Sequence, residues 1–272
     1  LALLIIFRIY SGLCGAQYHF DYDEKFNIDN TLAHINAKFL LPPYYYGPMI
    51  YYILSIPLGI LFIINASLNW SLDILPFVSL YFNNFYFFII AGRLMMLSFS
   101  LLTLLIFYKT LRLLNINKNI AIVSVILLVS CYGDNKYSHI IKIESFLTFI
   151  MMFAFYMQLK FDNLTNACDS SNEINIFIKK IICFSALTVI AFSAKYNFGI
   201  FLAVWPAYYI LLEINQKKFK RAINAILIAI CIAAIMLALL FFQLFLFHSE
   251  LYDYSKWITA VKAHIGIKNT MN

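Results

Sequence analysis

The sequence predicts an all-α protein that crosses a membrane several times, and its composition and its pattern both support this. Of the 272 residues, 63% are hydrophobic and 12% are charged, whereas a soluble domain is about half apolar and a quarter charged. The mean hydropathy is +0.81. So much apolar surface cannot be hidden in one water-soluble core, which excludes soluble enzymes, disulfide scaffolds, nucleic-acid binders and disordered chains.

Long apolar runs recur along the chain and predict seven or eight spans, since a helix needs about 20 apolar residues to cross a bilayer. The first run, 1–15, contains one charged residue, Arg8, and has no initiator Met. The later runs lie at 48–72, 74–108, 119–133, 145–159, 181–194, 197–212 and 222–247. The polar stretches between them are too short to form a soluble domain. Residues 1–272 are therefore predicted to form a single transmembrane domain.

The positions of the basic residues predict the orientation of the helices. There are 20 basic and 13 acidic residues, a net charge of +7. The basic clusters at 109–118 and 217–221 are expected in the cytoplasm, because short cytoplasmic loops are rich in lysine and arginine. This places segment 134–144 and the turn at Lys195 on the extracytoplasmic side. Alternation leaves the number of crossings within 48–93 open, with room for a helix lying in the interface.

The loop after the first run is unusually acidic, with four of the thirteen acidic residues in nine positions, 21–29. From Asp23 to Phe39, apolar side chains recur every three or four residues, which predicts an amphipathic helix on the membrane surface. Its first turn contains Asp23 and Glu24, where the helix dipole favours carboxylates. Such acids would suit a divalent cation; the alternative is an ordinary solvated loop. The apolar positions are Phe26, Ile28, Leu32, Ile35 and Phe39.

Two further polar segments are expected on the same side of the membrane. In segment 134–145, Glu144 lies at the beginning of an apolar run, where a carboxylate is costly unless it is paired. Its local candidate partners are Lys136, His139 and Lys142. Lys195 lies alone at the junction of two apolar runs. The alternative for both segments is an ordinary loop with lysines that extend to the headgroups.

In this order and spacing, the three segments resemble the membrane glycosyltransferases of the C superfold. The similar group contains the dolichyl-phosphate-mannose protein mannosyltransferases and the aminoarabinose transferase of lipid A. The resemblance covers most of the chain, and the order of the short motifs is more specific than any one of them. The matching motifs are Asp23-Glu24 with the interfacial segment and the proline step at 42–52, Gly92-Arg93-Leu94, Tyr137-Ser138-His139 leading to Glu144, and Ala194-Lys195-Tyr196.

The chain departs from the family pattern at several points. Glu144 stands where the family often has Asp. Tyr46 and Gly47 replace an acidic residue that some members place before the second span, which weakens the analogy for a metal site. Members usually continue for several more helices or a soluble domain, so the chain is expected to be a short member or a fragment.

The resemblance implies transfer of a sugar from a polyprenyl phosphate carrier to a protein, lipid or glycan acceptor. The transfer would occur at the extracytoplasmic face in one inverting displacement. An acceptor hydroxyl must lose its proton as it attacks the anomeric carbon, and Asp23 is predicted to be the base. Glu24 would orient the acceptor or exchange roles with Asp23. The other predicted substrate-binding residues are His139, Lys142, Glu144, Lys195 and Tyr196.

Lys195, with His139 or Lys142, would meet the growing negative charge of the departing lipid phosphate. A divalent metal ion is an open possibility for this site, and no nucleic-acid partner is expected. The resemblance implies a multi-pass protein of a bacterial or archaeal plasma membrane, or of the endoplasmic reticulum in a eukaryote.

Two other classes of function compete with this interpretation. A transporter or channel would place Glu144, Lys195 and Arg93 along a pathway, because ionisable residues within membranes are functional candidates. The polar residues gather in outer loops, however, and no inverted repeat is visible. A membrane scaffold would tolerate neutralisation of Asp23 and Glu24.

Overall fold

The computed structural model describes residues 6, 9–10, 22–36, 48–130, 140–167 and 170–240. Every regular element within these residues is an α-helix, which confirms the predicted all-α bundle. In chain order the helices are α1 (Tyr22–Asn36), α2 (Met49–Asn69), α3 (Ile74–Asn83), α4 (Tyr86–Leu113), α5 (Lys118–Ser130), α6 (Glu144–Ala167), α7 (Ser170–Ala194), α8 (Tyr196–Asn215) and α9 (Phe219–Leu240).

Five helices of the described part are long and apolar enough to cross a membrane. They are α2, α4, α8, Glu173–Ala194 within α7 and Phe219–Leu239 within α9. The apolar helices α3 and α5 have only 10 and 13 residues. Ten residues extend for about 15 Å, half of the hydrocarbon thickness. These short helices explain part of the difference from the seven or eight predicted spans. The first predicted span lies almost wholly outside the described residues.

The apolar run at 74–108 is divided into two helices, although the run is apolar on both sides of the division. Asp73 begins α3, and its side chain accepts a hydrogen bond from the backbone N–H of Leu75 at 3.2 Å. The backbone leaves the helical region at Asn84, which has φ −142°. The chain then enters α4, which has 28 residues. The predicted run therefore forms two helices. The short one is capped by the Asp73 side chain and ends at Asn83, and the long one follows Asn84.

Helices α2 and α3 form a hairpin that brings the chain back to α1. At the beginning of α2, the ring of Tyr51 stacks on His34 of α1, with ring centroids 4.3 Å apart. Near the end of α3, the hydroxyl of Tyr81 donates a hydrogen bond to Asp29 of α1. Both ends of the hairpin thus lie against the same helix. The sequence did not decide how many times residues 48–93 cross the membrane. In the structure, α2 begins against α1 and α3 ends against it.

Helix α1 confirms the predicted helix after the first run, and the face that it buries inside the protein is mostly polar. Its buried positions are Glu24, Asn27, Ile28, Thr31 and His34. Of the expected apolar stripe, Ile28 is fully buried, whereas Ile35 is 38% exposed and Phe26 and Leu32 are partly exposed. Apolar side chains can face lipid at no cost, and polar side chains must find partners inside the protein. Phe39 lies outside the described residues.

Candidate functional site

The first turn of α1 contains a fully buried carboxylate that is paired with an arginine on α4. The Arg93 Nε donates to Glu24 Oε1 at 2.8 Å, and Arg93 Nη2 donates to Glu24 Oε2 at 2.8 Å. The Glu24 side chain is 0% exposed and the Arg93 side chain 6%. This two-point geometry matches the planar guanidinium to the carboxylate. The pair fixes α1 against α4.

The backbone of Ile141, which precedes α6, is held by the same part of α1. Its N–H donates to Glu24 Oε1 at 3.2 Å, and its carbonyl accepts from Asn27 Nδ2 at 2.8 Å. Its side chain is fully buried against Gly92. A Cβ at Gly92 would lie 2.5 Å from Ile141 Cδ1, so any larger residue would force the buried Ile141 side chain to move. Segment 140–143 is thus held by hydrogen bonds and by packing.

Asp23, one residue before Glu24, stands in a different environment. Its carboxylate pairs with Lys142 Nζ at 2.9 Å, and the two side chains are 41% and 23% exposed. Because Ile141 is fixed, Lys142 is presented directly beside the first turn of α1. The structure therefore brings two predicted site residues together and leaves the Asp23 carboxylate partly accessible.

Glu144 begins α6 and pairs with Lys195. Lys195 Nζ donates to Glu144 Oε1 at 3.0 Å. Three residues were predicted as the partner of Glu144. Lys142 was wrong, because it pairs with Asp23 instead. Lys136 and His139 lie outside the described residues. Glu144 Oε2 is buried and accepts no hydrogen bond from any described residue.

The position of Lys195 follows from a sharp junction between α7 and α8. Its backbone is extended, with φ −158° and ψ 115°, between two helices that end and begin beside it. A Cβ at Gly199 would lie 2.6 Å from the Cα of Phe192, so α8 folds back directly onto α7. This junction places Lys195 at the end of the bundle that carries Glu144. Tyr196 is the first residue of α8, and His139 lies outside the described residues.

The two ion pairs are adjacent through segment 140–144. Lys142 meets Asp23 and, two residues later, Glu144 meets Lys195. One end of the bundle thus presents two carboxylates and two ammonium groups, all partly exposed. Such a set can accept a proton from a hydroxyl, hold sugar hydroxyls and balance a phosphate.

The described residues contain no group of three or more His, Cys, Asp or Glu side chains that could hold a metal ion. In the candidate site, the carboxylates of Asp23 and Glu144 each pair with a lysine. A metal ion here therefore stays an untested prediction.

One apolar crevice in the described part lies away from these ion pairs. It has a volume of about 490 Å³ and is lined by apolar residues of α1, α2 and α3, including Leu32 of α1. Leu32 follows Asp23 by nine residues, which places it about 180° around the helix. The crevice and the Asp23 carboxylate therefore lie on opposite flanks of α1.

The comparison with known families agrees with the arrangement of these motifs. The family model for dolichyl-phosphate-mannose-protein mannosyltransferases matches residues 54–253, well over half of the chain. The chain belongs to this family. It is therefore a multi-pass membrane glycosyltransferase of the mannosyltransferase type, in a family that uses lipid-linked sugar donors. No curated protein and no solved structure gives a significant match.

Family membership favours the glycosyltransferase over the transporter and the scaffold. The matched segment includes Arg93, Lys142, Glu144 and Lys195. It begins after α1, so the roles of Asp23 and Glu24 in this mannosyltransferase-family chain depend on their contacts rather than on the match.

Sequence reasoning missed the partner of Glu24 and the role of Ile141. The motif Gly92-Arg93-Leu94 was noticed, but the pairing joins positions 69 residues apart. A lone arginine within an apolar run was the available signal, because a charge at that depth needs a buried partner. No signal in the sequence marks the backbone of Ile141 as a hydrogen-bonding group.

Proposed function

We propose that the chain transfers a sugar from a polyprenyl-phosphate donor to an acceptor hydroxyl, with Asp23 as the general base. The observation that carries this proposal is the contrast within the Asp23-Glu24 pair. Glu24 is 0% exposed and both of its oxygens are taken by Arg93. Asp23 is 41% exposed and pairs with Lys142. An acceptor can therefore reach Asp23 and not Glu24.

The proposed reaction is a single displacement with inversion. The acceptor O–H gives its proton to the Asp23 carboxylate as its oxygen forms a bond to the anomeric carbon. The bond from that carbon to the phosphate oxygen breaks on the opposite face, and polyprenyl phosphate leaves with the bonding electrons. A carboxylate within hydrogen-bond reach of the hydroxyl is the group that this step needs.

Lys142 is proposed to change partners during the reaction. In the structure its ammonium group neutralises Asp23 at 2.9 Å. When the acceptor hydroxyl takes its place, the flexible side chain can turn towards the departing phosphate. Lys195, paired with Glu144 at 3.0 Å, is the second cation for that charge. Glu144 Oε2, which accepts no hydrogen bond from the described residues, would turn towards a hydroxyl of the sugar and accept its hydrogen bond.

The glutamate pair has a positioning role in this proposal. Glu24, Arg93 and Asn27 hold α1 and segment 140–143 together, so that Asp23, Lys142 and Glu144 keep their relative positions. Fixed positions matter because small displacements of catalytic groups reduce rates strongly. The sequence predicted that Glu24 orients the acceptor. We propose instead that Glu24 holds α1 and segment 140–143 in their relative positions.

The proposal is tested by reconstituting the chain in vesicles with a panel of polyprenyl-phosphate sugars, with and without chelator. Release of polyprenyl phosphate from the mannosyl donor is expected, and the product should have the anomeric configuration opposite to that of the donor. Retained configuration would contradict the single displacement. No release from any donor would contradict the proposed function.

The side of the membrane is tested in the same vesicles. Donor or acceptor supplied only on the side of the Asp23 loop should support transfer, and supply on the side of the 217–221 cluster should not. The cluster's side is established by labelling an introduced surface cysteine. Transfer only from the 217–221 side would contradict the predicted extracytoplasmic reaction.

A further inference from the structure

The end of the bundle opposite Asp23 carries a basic surface that the transfer reaction does not use. Helix α8 begins beside Glu144 and ends at Asn215, where the chain turns into α9. Four of the five positions 217–221 are basic, and they form what we call the basic rim: Lys217, Lys218, Lys220 and Arg221. Lys217 and Lys220 are exposed, whereas Lys218 and Arg221 are half-buried.

A narrow crevice runs from the basic rim towards the middle of the bundle, between α7 and α9. Its volume is about 250 Å³. Arg221, Asn224 and Ile174 line it near the basic rim, and the apolar side chains of Phe177 and Ile228 line it further along the two helices. From Arg221 to Ile228 the helix rises by about 10 Å. The crevice is therefore polar at headgroup level and apolar below it.

Arg221 at the mouth of this crevice has unused hydrogen-bonding capacity. Its nearest acid is Glu173, with Nη1 3.8 Å from Oε1, and the neighbouring Lys218 Nζ is 3.9 Å from the same oxygen. Both distances exceed that of a hydrogen bond. Within the described residues the guanidinium donates no hydrogen bond, although 34% of the side chain is exposed. A guanidinium can donate two parallel hydrogen bonds to a phosphate.

We propose that this crevice binds an anionic phospholipid. The phosphate would lie against Arg221 and Lys218, Asn224 would hydrogen-bond to the headgroup or the glycerol ester, and the first part of one acyl chain would occupy the apolar wall. The four bases of the basic rim attract an anionic headgroup over a neutral one. The apolar wall distinguishes this site from a loop that is merely positively charged.

The test measures the binding of a fluorescent short-chain phosphatidylglycerol to the purified chain in an uncharged detergent, by anisotropy. The matching phosphatidylcholine is the neutral comparison. Wild type should bind phosphatidylglycerol more tightly. Arg221→Gln should raise its Kd about fivefold, the effect of one base near an anionic lipid. The double variant Lys109→Gln, Lys118→Gln removes two exposed bases elsewhere in the chain and should leave the Kd within about twofold.

A second variant tests the apolar part of the site without changing charge. Asn224 is exposed, so Asn224→Trp can fill the mouth of the crevice without disturbing the core. It should weaken binding of phosphatidylglycerol by several-fold and leave the thermal midpoint unchanged. Equal binding of the two lipids, unchanged binding in both variants, or an equal loss in the Lys109 and Lys118 control would overturn the proposal. None of these measurements requires sugar transfer, so they stand apart from the proposed enzyme function.

Discussion

Asp23 and Glu24 are adjacent in the sequence, yet the structure gives them opposite environments. Glu24 faces α4 and is enclosed by a two-point pair with Arg93 and by the N–H of Ile141. Asp23 lies about 100° around the helix, where it is partly exposed and pairs with Lys142. The comparison shows that an Asp-Glu pair is not one site of two equal acids. One carboxylate holds the fold together and the other is left accessible for chemistry.

The largest loss of stability is expected when Glu24, the buried carboxylate of the pair, loses its arginine. Arg93→Met removes the partner of Glu24 and leaves a buried carboxylate unpaired, which costs about 3–5 kcal/mol of stability. The thermal midpoint in detergent measures the loss. The double variant Glu24→Gln, Arg93→Met should recover part of it, because no buried charge then remains. An Arg93→Met protein with the wild-type midpoint would show that Glu24 is not buried.

The packing of Ile141 should give the next largest effect. Gly92→Ala places a methyl group 2.5 Å from Ile141 Cδ1, and such overpacking costs about 1–3 kcal/mol. Gly59→Ala is the matched control, because nothing lies within 4 Å of a Cβ built there. That control should be neutral or slightly stabilising. Adding Ile141→Val to Gly92→Ala should relieve part of the loss in thermal midpoint. Equal midpoints for the two alanine variants would contradict the close approach.

A pH-dependent effect is expected from His34, on the same buried face as Glu24. Burial lowers the pKa of His34 from 6.5 to about 4, because desolvation disfavours the imidazolium. Between these values the unfolded chain binds more protons than the folded one. The contribution of His34 to stability is therefore complete above about pH 6.5 and is lost as the pH falls towards about 4.

The test of His34 compares thermal midpoints across pH. Wild type should lose stability over this window more steeply than His34→Gln, which has no proton to gain. Below about pH 4 the two curves should run parallel. Identical slopes throughout the window would contradict the burial of His34 against Tyr51.

The smallest effect on stability is expected at Asp23, the accessible carboxylate of the pair. Asp23→Asn breaks a partly exposed ion pair with Lys142, and such pairs contribute about 1 kcal/mol or less. Its thermal midpoint should lie close to that of Asp29→Asn. Asp29 is on the same helix, is 39% exposed and also pairs with a lysine, Lys25, at 2.7 Å. A large loss for Asp23→Asn alone would mean that Asp23, like Glu24, holds the fold together.

The helices were largely predictable from the sequence, because a chain in lipid must form long apolar helices and show its polar residues at their ends. The helix after the first run was predicted at 23–39 and is found at Tyr22–Asn36. Its buried face was not predictable from an apolar pattern, since lipid accepts apolar side chains as readily as the core does. The polar face turns inwards because Arg93, Ile141 and Tyr51 lie where its side chains find partners.

The site was predictable in its residue types and only partly in its contacts. The motifs pointed to Asp23, Lys142, Glu144 and Lys195, and the structure places these four at one end of the bundle. Local reasoning did not find Lys195 as a partner of Glu144, because it searched nearby residues and Lys195 lies 51 positions away. Long-range pairs depend on helix packing, and the sharp turn at Lys195 is visible only once α7 and α8 are in place.

The central claim is that Asp23 performs the proton transfer and Glu24 holds the site in place. The most direct measurement is the rate of polyprenyl phosphate release per folded molecule for Asp23→Asn against Asp29→Asn, in vesicles with a mannosyl donor. A general base contributes about 10²- to 10⁴-fold to the rate. Asp23→Asn should therefore lose at least about a hundredfold while Asp29→Asn keeps a rate near wild type. A folded Asp23→Asn protein that transfers at the wild-type rate would contradict the account.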